Sequence, residues 1–401
     1  MIRRQCYIGF KPLVFVLLTS VLLLAVVVTI GRVVHAGENH EPEFSDAEVA
    51  LVSLFGPWPV NIPADPGNEY SGVGWVEELG EQLFSDTDLS GAGDLACIAC
   101  HQPDQGFAEN RRVAVGAEPH VRNTQGLLNS GLQRWFGWDG GADSLWAASL
   151  RPILSEIEMA ANIPDLATRF RTKPYVLQAI ADSNQAIDVV ALTDEQFVVF
   201  IAKAIAAYTR TLVSGETPFD RFRTALTNRD QAGIDAYSDS ARRGLKIFLG
   251  EANCHVCHFG PNFSNGEFHD TGRPFFIGTG QVDPGRHSGI QRVRKDKYNL
   301  SGEYNGTLVA SEIRKTETVK LGQNNFGEWR TPSLRNLTTT APYMHDGSLA
   351  TLRDVVQAYS NIDPDRLHTD GESILKPLGL GSEEVTDLVS FLRSLSVSPG
   401  G

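Results

Sequence analysis

The chain has 401 residues, 42% of them hydrophobic, with 38 glycines and 20 prolines. That length holds two modest domains with long loops. A net charge of −13 and a pI near 5.3 argue against nucleic-acid binding.

Residues 1–36 read as an export leader. Arg3, Arg4 and Lys11 precede an apolar run over 13–30, and Val34-His35-Ala36 has the form of a small-residue cleavage site. The run is long for a cleaved signal and short for a membrane span. A cleaved signal is the favoured reading and a retained anchor the alternative. Either way the body is expected in the periplasm, with the basic end inside.

Residues 37–72, with Pro57, Pro59, Pro63 and Pro66, predict an irregular lead-in that holds a short helix over 46–55. Trp75, Leu79 and Leu83 predict a helix over 75–84. It leads to Cys97-Ile98-Ala99-Cys100-His101. In a C-x-x-C-H pentapeptide the two thiols bond the vinyl groups of a haem and the His takes the iron on its proximal side. A polar loop over 102–129 and an aromatic turn over 135–141 follow. Helices are predicted over 144–154, 163–181 and 193–212, the last capped by Thr193 and Gln196.

Residues 218–239 read as a crossover between domains. A helix over 240–249 then delivers a second pentapeptide, Cys254-His255-Val256-Cys257-His258. The remaining cysteine, Cys6, lies in the leader. Two redox C-x-x-C pairs or a shared zinc site would leave unexplained why a His follows both motifs. Residues 262–329 are long, polar and Gly-rich, the mark of a functional segment or a surface excursion that forms part of a partner surface. Helices over 351–359 and 383–395 close the chain. The predicted fold is mainly α: two cytochrome c-like haem domains over 37–235 and 236–401, with long loops and little sheet.

His101 and His258 are the proximal candidates, so function turns on the opposite faces. A haem with two strong protein ligands passes electrons. A haem with an open face beside an acid/base group activates peroxide.

Several stretches resemble the bacterial di-haem cytochrome c peroxidase and MauG superfamily. They are the first haem motif, Arg122-Asn123, Trp138-Asp139-Gly140, Pro152-Ile153 with Glu158-Met159, the second haem motif, the segment from Arg330-Thr331-Pro332 to Asn336, and that from Ala341-Pro342-Tyr343 to Gly347. The resemblance runs from about Leu83 to Leu395 and implies two covalently bound haem c groups. It places Trp138 between the haems as a stepping stone for charge. It makes Glu158 the distal carboxylate that handles peroxide protons, which in a dry pocket should have a raised pKa, and Pro152 a pocket proline. It implies a calcium ion held by Asn123 and the carbonyls of Thr340 and Pro342.

The chain departs from the pattern in three places. Where many of these peroxidases have a removable His ligand after Val-Gly, Val115-Gly116 is followed by Ala117, with His120 nearby as a substitute. A pocket glutamine falls on Ala148. At the position of the second haem's Met ligand stands Tyr359, as in MauG, with Met344 the other sulfur available. A phenolate ligand favours ferric and higher states.

Three functions compete. In the first, resembling MauG and the MbnH-like branch, hydrogen peroxide reacts at the N-terminal haem. A high-valent state shared by both haems then oxidises a partner-protein side chain, such as a tryptophan of a copper-binding protein converted to kynurenine. The wording of residues 136–146 looks closest to that branch. In the second, the protein reduces peroxide to water with electrons from a small cytochrome or cupredoxin. In the third, it transfers electrons without catalysis. Tyr359 and Ala117 favour the first.

Overall fold

The computed structural model describes residues 44–183, 188, 190–273, 276–308, 310–363 and 375–397. The leader, with Cys6, and the lead-in before Phe44 lie outside these residues. Among the described residues no helix is long and apolar enough to cross a membrane. Glu48–Gly401 forms one compact unit.

Most predicted helices are present within a residue or two. Helix α1 (Asp46–Ser53) is followed by α2 (Gly74–Phe84), which buries Val76, Leu79, Leu83 and Phe84 along one face. It leads to α3 (Cys97–Cys100), a single turn that carries the first haem motif. Ser144 caps α4 (Leu145–Leu154) by accepting from the Ala147 N–H, satisfying an orphan donor of the first turn. The helix expected over 163–181 is two, α5 (Ile163–Phe170) and α6 (Pro174–Asp182). Pro174 forces Lys173 out of the helical region and then starts a new helix at its first position. Helix α7 (Asp194–Thr211) has the predicted Thr193–Gln196 capping box and is buried on nearly every side, because α2, α4 and α5 pack around it.

The expected crossover over 218–239 is instead helix α8 (Pro218–Asn228) and the short α9 (Gln231–Asp235). Thr217, Pro218 and Asp220 supply an N-cap, a first-turn proline and a capping box. Asp220 also takes two hydrogen bonds from the buried Arg335 guanidinium, at 2.9 and 2.8 Å. That pair ties the segment into the body. Helix α10 (Asp239–Leu249) then presents the second haem motif.

Residues 262–329 are also more ordered than their composition predicts. They hold α11 (Arg286–Lys295) and α12 (Ala310–Thr318). Strand β1 (Phe268–Asp270) pairs antiparallel with β4 (Glu328–Arg330), with Phe268 opposite Arg330, and β2 (Phe276–Gly278) pairs with β3 (Gln281–Val282). Helices α13 (Leu352–Ser360) and α14 (Ser382–Ser394) follow. The fold is mainly helical with two small sheets, as expected.

The two haem motifs are presented by the same packing device. Helix α2 crosses α7 at Gly80, and α10 crosses α14 at Gly244. A Cβ at either glycine would fall 2.0 Å from a backbone oxygen, that of Ala204 or that of Asp387. In an open helix, Gly→Ala stabilises by up to about 1 kcal/mol. Here Gly80→Ala and Gly244→Ala each destabilise by about 1–3 kcal/mol, as overpacking does, measured by denaturant titration.

Candidate haem centres and the turn between them

Both motif histidines are oriented by a backbone carbonyl. His101 Nδ1 lies 2.8 Å from the Phe107 oxygen, and His258 Nδ1 lies 2.9 Å from the Phe263 oxygen. Phe107 and Phe263 both have positive φ, at 56° and 50°, which turns each carbonyl back onto its ring. A ring that donates from Nδ1 keeps the Nε2 lone pair for a metal. Burial lowers the pKa of both, that of His258 to about 4, so the imidazoles are neutral. Cys97, Cys100, Cys254 and Cys257 form no disulfide. Two thiols and one neutral imidazole in each half fit a haem c group.

Cys97, Cys100 and His101 line a cavity of about 630 Å³, together with Pro152, Glu158, Ala148, His120 and Trp138. Glu158 is half-buried. Its carbonyl accepts from the Ala117 N–H at 2.7 Å, and a Cβ on Gly116 would sit 2.6 Å from its Cα. Ala117, where the resemblance leads one to look for a ligand, is thus pinned to the backbone of Glu158. His120 is held separately: its Nδ1 accepts from the Arg122 N–H at 2.9 Å.

His258 and Tyr359 line one wall system of a second, smaller cavity of about 180 Å³. Burial pushes the Tyr359 phenol up to about 12, with nearby Cys254 and Cys257 adding to the rise. Met344 lines the same space, as do Asn123, Thr340 and Pro342. The Asn123 Nδ2 donates to the carbonyls of Arg111 and Arg112, at 3.0 and 3.2 Å, which turns its amide oxygen the other way. Among the described residues no group of three or more His, Cys, Asp or Glu is placed to hold a metal ion.

Trp138 lines both cavities. Its Nε1 donates to the Asn123 carbonyl at 2.8 Å, and its own carbonyl accepts from the Arg330 N–H at 2.9 Å. The adjoining Asp139 is fully buried and takes Arg122 at 2.6 Å and Arg292 at 2.9 Å. Arg122 spans further, closing on both oxygens of Asp283 at 2.7 Å. Arg286 donates to the carbonyls of Asp139 and Gly140. Burial alone would raise the Asp139 pKa, but Arg122, Arg292 and Arg151 outweigh it and hold the carboxyl well below the usual range. Asp283, Arg286 and Arg292 all come from residues 262–329, so part of that stretch packs on the turn.

The di-haem cytochrome c peroxidase family matches residues 76–228. Across most of the chain the similarity is stronger than that span implies. The cytochrome-c peroxidase IdrP1 of Denitromonas iodatirespirans is 34% identical over 349 residues, covering 85% of each chain. The chain belongs to the di-haem cytochrome c peroxidase family. It is therefore a haem oxidoreductase with two haem groups. MauG of Methylophilus methylotrophus, another relative, is 32% identical over 349 residues, 84% of this chain and 86% of that one. A crystal structure of a MauG-like protein associated with microbial copper homeostasis is 25% identical with a TM-score of 0.63, covering 85% of this chain and 96% of that chain. The di-haem peroxidase BthA of Burkholderia thailandensis shares the fold at 19% identity and a TM-score of 0.65, covering 84% and 88%.

Sequence reasoning about this family member missed Phe107 and Phe263. Each follows a turn after a motif His, but at unequal spacing, so no repeat flags them. It also missed Asp283 and Arg292, which carry no local signal. Because the folded pKa of Asp139 is depressed, its stabilising contribution is present above the unfolded value near 4 and is lost as pH falls through the lower folded value. Asp139→Asn leaves Arg292 without its carboxylate and Arg122 with Asp283 alone, and destabilises by about 3–5 kcal/mol at pH 7. In denaturant titrations that difference narrows below about pH 4.

Proposed function

We propose that this family member uses hydrogen peroxide to oxidise a side chain of a partner protein, rather than only reducing peroxide to water. The observation that carries this reading is that Tyr359, not a methionine at the corresponding position, shares a cavity with His258. Haem bound at the two centres supplies the redox chemistry by which peroxide is reduced and a donor oxidised. Glu158 takes a proton from peroxide and returns it to the departing oxygen, as a carboxylate beside the first centre is suited to do. Pro152 and Ala148 shape that pocket. Trp138 relays charge between the centres. Tyr359 would hold the haem iron of the second centre through its phenol oxygen, a donor that would favour the oxidised states. Residues 37–235 then form the peroxidatic half and 236–401 the Tyr-ligated half.

The partner we infer is a copper-binding protein, with a tryptophan oxidised to kynurenine. Similarity to the MauG-like protein associated with copper homeostasis supports this choice. Asn123 and the carbonyls of Thr340 and Pro342 offer the hard oxygen donors that suit a calcium ion. The leader puts the protein in the periplasm. A second reading, peroxide reduction with electrons from a small cytochrome or cupredoxin, draws on Met344, which lines the Tyr359 cavity, and on the IdrP1 relatives.

The deciding experiment is optical and EPR spectroscopy of the purified diferric protein before and after one equivalent of peroxide, without reductant. Immediate reaction to a lasting two-electron-oxidised state, then oxygen insertion into a tryptophan of a co-expressed copper-binding partner, is expected. Reaction only after one haem is reduced, with fast turnover of a donor cytochrome, would establish the second reading. Tyr359→Met raises the potential of the second centre in redox titration and abolishes the lasting state. Glu158→Gln slows the peroxide reaction by about 10²–10⁴-fold in stopped flow.

A further inference from the structure

A chain of aromatic residues leads away from α4 on a face that does not line the first cavity. Leu145, Ala148, Ser149 and Pro152 turn one face of α4 to that cavity. Trp146, on the same helix, is fully buried, and its indole Nε1 has no hydrogen-bond partner. It therefore lies within about one helix diameter, ~10–12 Å, of the cavity wall. The Tyr298 ring meets Trp146 edge-on, with centroids 6.4 Å apart, and Tyr304 follows at 5.5 Å. Tyr298 is buried, whereas Tyr304 is partly exposed. The Tyr298 hydroxyl donates to Glu195 Oε1 at 2.5 Å, and the Tyr304 phenol interacts electrostatically with the same carboxylate. Contacts from Lys297 and Tyr298 hold the Glu195 carboxyl below its usual range.

The environments along this chain give it a direction. An oxidised Trp146 would keep its proton, with no acceptor at Nε1, and would face the Lys203 ammonium 5.4 Å over its ring. An oxidised Tyr298 or Tyr304 has Glu195 to take the phenol proton. Oxidation therefore comes to rest on the tyrosines, at the surface end.

We propose that Trp146, Tyr298 and Tyr304 carry oxidising equivalents from the first haem centre to the protein surface, where a one-electron donor too large for the cavity is oxidised. This exit is separate from Trp138 and rests on the peroxidatic reading above. In each passage one electron leaves Tyr304 through Tyr298 and Trp146, and the phenol proton moves to Glu195. The donor then gives one electron to Tyr304, and the proton returns from Glu195. Two passages supply the two electrons that, with two protons from donor or solvent, turn one hydrogen peroxide into two waters.

The test is spin trapping on the diferric holoenzyme. One equivalent of hydrogen peroxide is added with a nitrone trap and no reductant. Adducts are mapped by peptide mass spectrometry while the peroxide reaction is followed optically in the same sample. An adduct on Tyr304 is expected, lost in Trp146→Phe and weakened in Glu195→Gln, with the optical reaction unchanged. Tyr298→Phe removes only a hydroxyl and also loses the Tyr304 adduct, so the test stands if Trp146→Phe does not fold. A normal optical reaction with no adduct on Tyr298 or Tyr304, or a Tyr304 adduct that survives both Trp146→Phe and Tyr298→Phe, overturns the conduit and leaves the peroxidatic reading intact. No optical reaction with peroxide overturns both.

Discussion

Arg122 is the side chain on which the arrangement between the two centres depends. One nitrogen holds Asp139, beside Trp138, and the other two grip Asp283. Asp139 in turn draws in Arg292 from α11. A buried carboxylate is tolerated only when it is matched and hydrogen-bonded, and Asp139 has two guanidinium groups and the Gly141 N–H. Removing Asp139 strands Arg292, and removing Arg122 leaves Asp283 without the guanidinium it pairs with. The network therefore fixes the turn of Trp138 to a distant stretch of chain more firmly than apolar packing around a turn would. Position matters here because Trp138 has to touch both cavities at once.

The same economy of means recurs at the two centres. Each motif His is aimed by the carbonyl of a phenylalanine in a left-handed conformation. Each motif follows a helix that crosses its partner at a glycine. These parallels lie in backbone geometry, not in side-chain identity, and the halves diverge elsewhere. Besides the His, the first cavity is lined by Glu158 and the second by Tyr359. One scaffold used twice thus gives a proton-handling centre and a phenol-bearing centre.

Much of this was legible in the sequence. Periodicity and caps located α2, α4, α7, α10, α13 and α14, because each carries its start signal and apolar face within a few residues. The haem motifs were legible for the same reason: their chemistry is written in five adjoining positions. Trp138, Glu158, Pro152 and Tyr359 came through resemblance; Trp138, Glu158 and Pro152 line the first cavity, and Trp138 and Tyr359 the second. What stayed hidden depends on distance. Arg122 and Asp283 are 161 positions apart, and nothing near either one names the other. Residues 218–239 read as a linker because their polar cap residues look like loop chemistry until Arg335 is seen pairing with Asp220. Residues 262–329 read as an excursion because their helices are short and polar, and α11 owes part of its order to packing on the Asp139 turn.

Electrostatics separates the two aromatic routes away from the first cavity. The Trp138 turn is surrounded by Arg122, Arg151, Arg286, Arg292 and Arg330, against which stand the carboxylates of Asp139 and Asp283. Such an excess of positive charge in a low-dielectric site raises the energy of any cation resting on the indole. The Trp138 proton, moreover, is bonded to the Asn123 carbonyl, which is too weak a base to remove it. Under the proposed reading, this setting suits Trp138 to passage between the centres and not to storage. Tyr298 and Tyr304 have a different setting: the Lys297 ammonium stands over the Tyr298 ring, but the Glu195 carboxylate accepts from the Tyr298 hydroxyl and interacts with the Tyr304 phenol. The difference lies in the groups around each site: five arginines about the Trp138 turn, a proton acceptor beside the tyrosines.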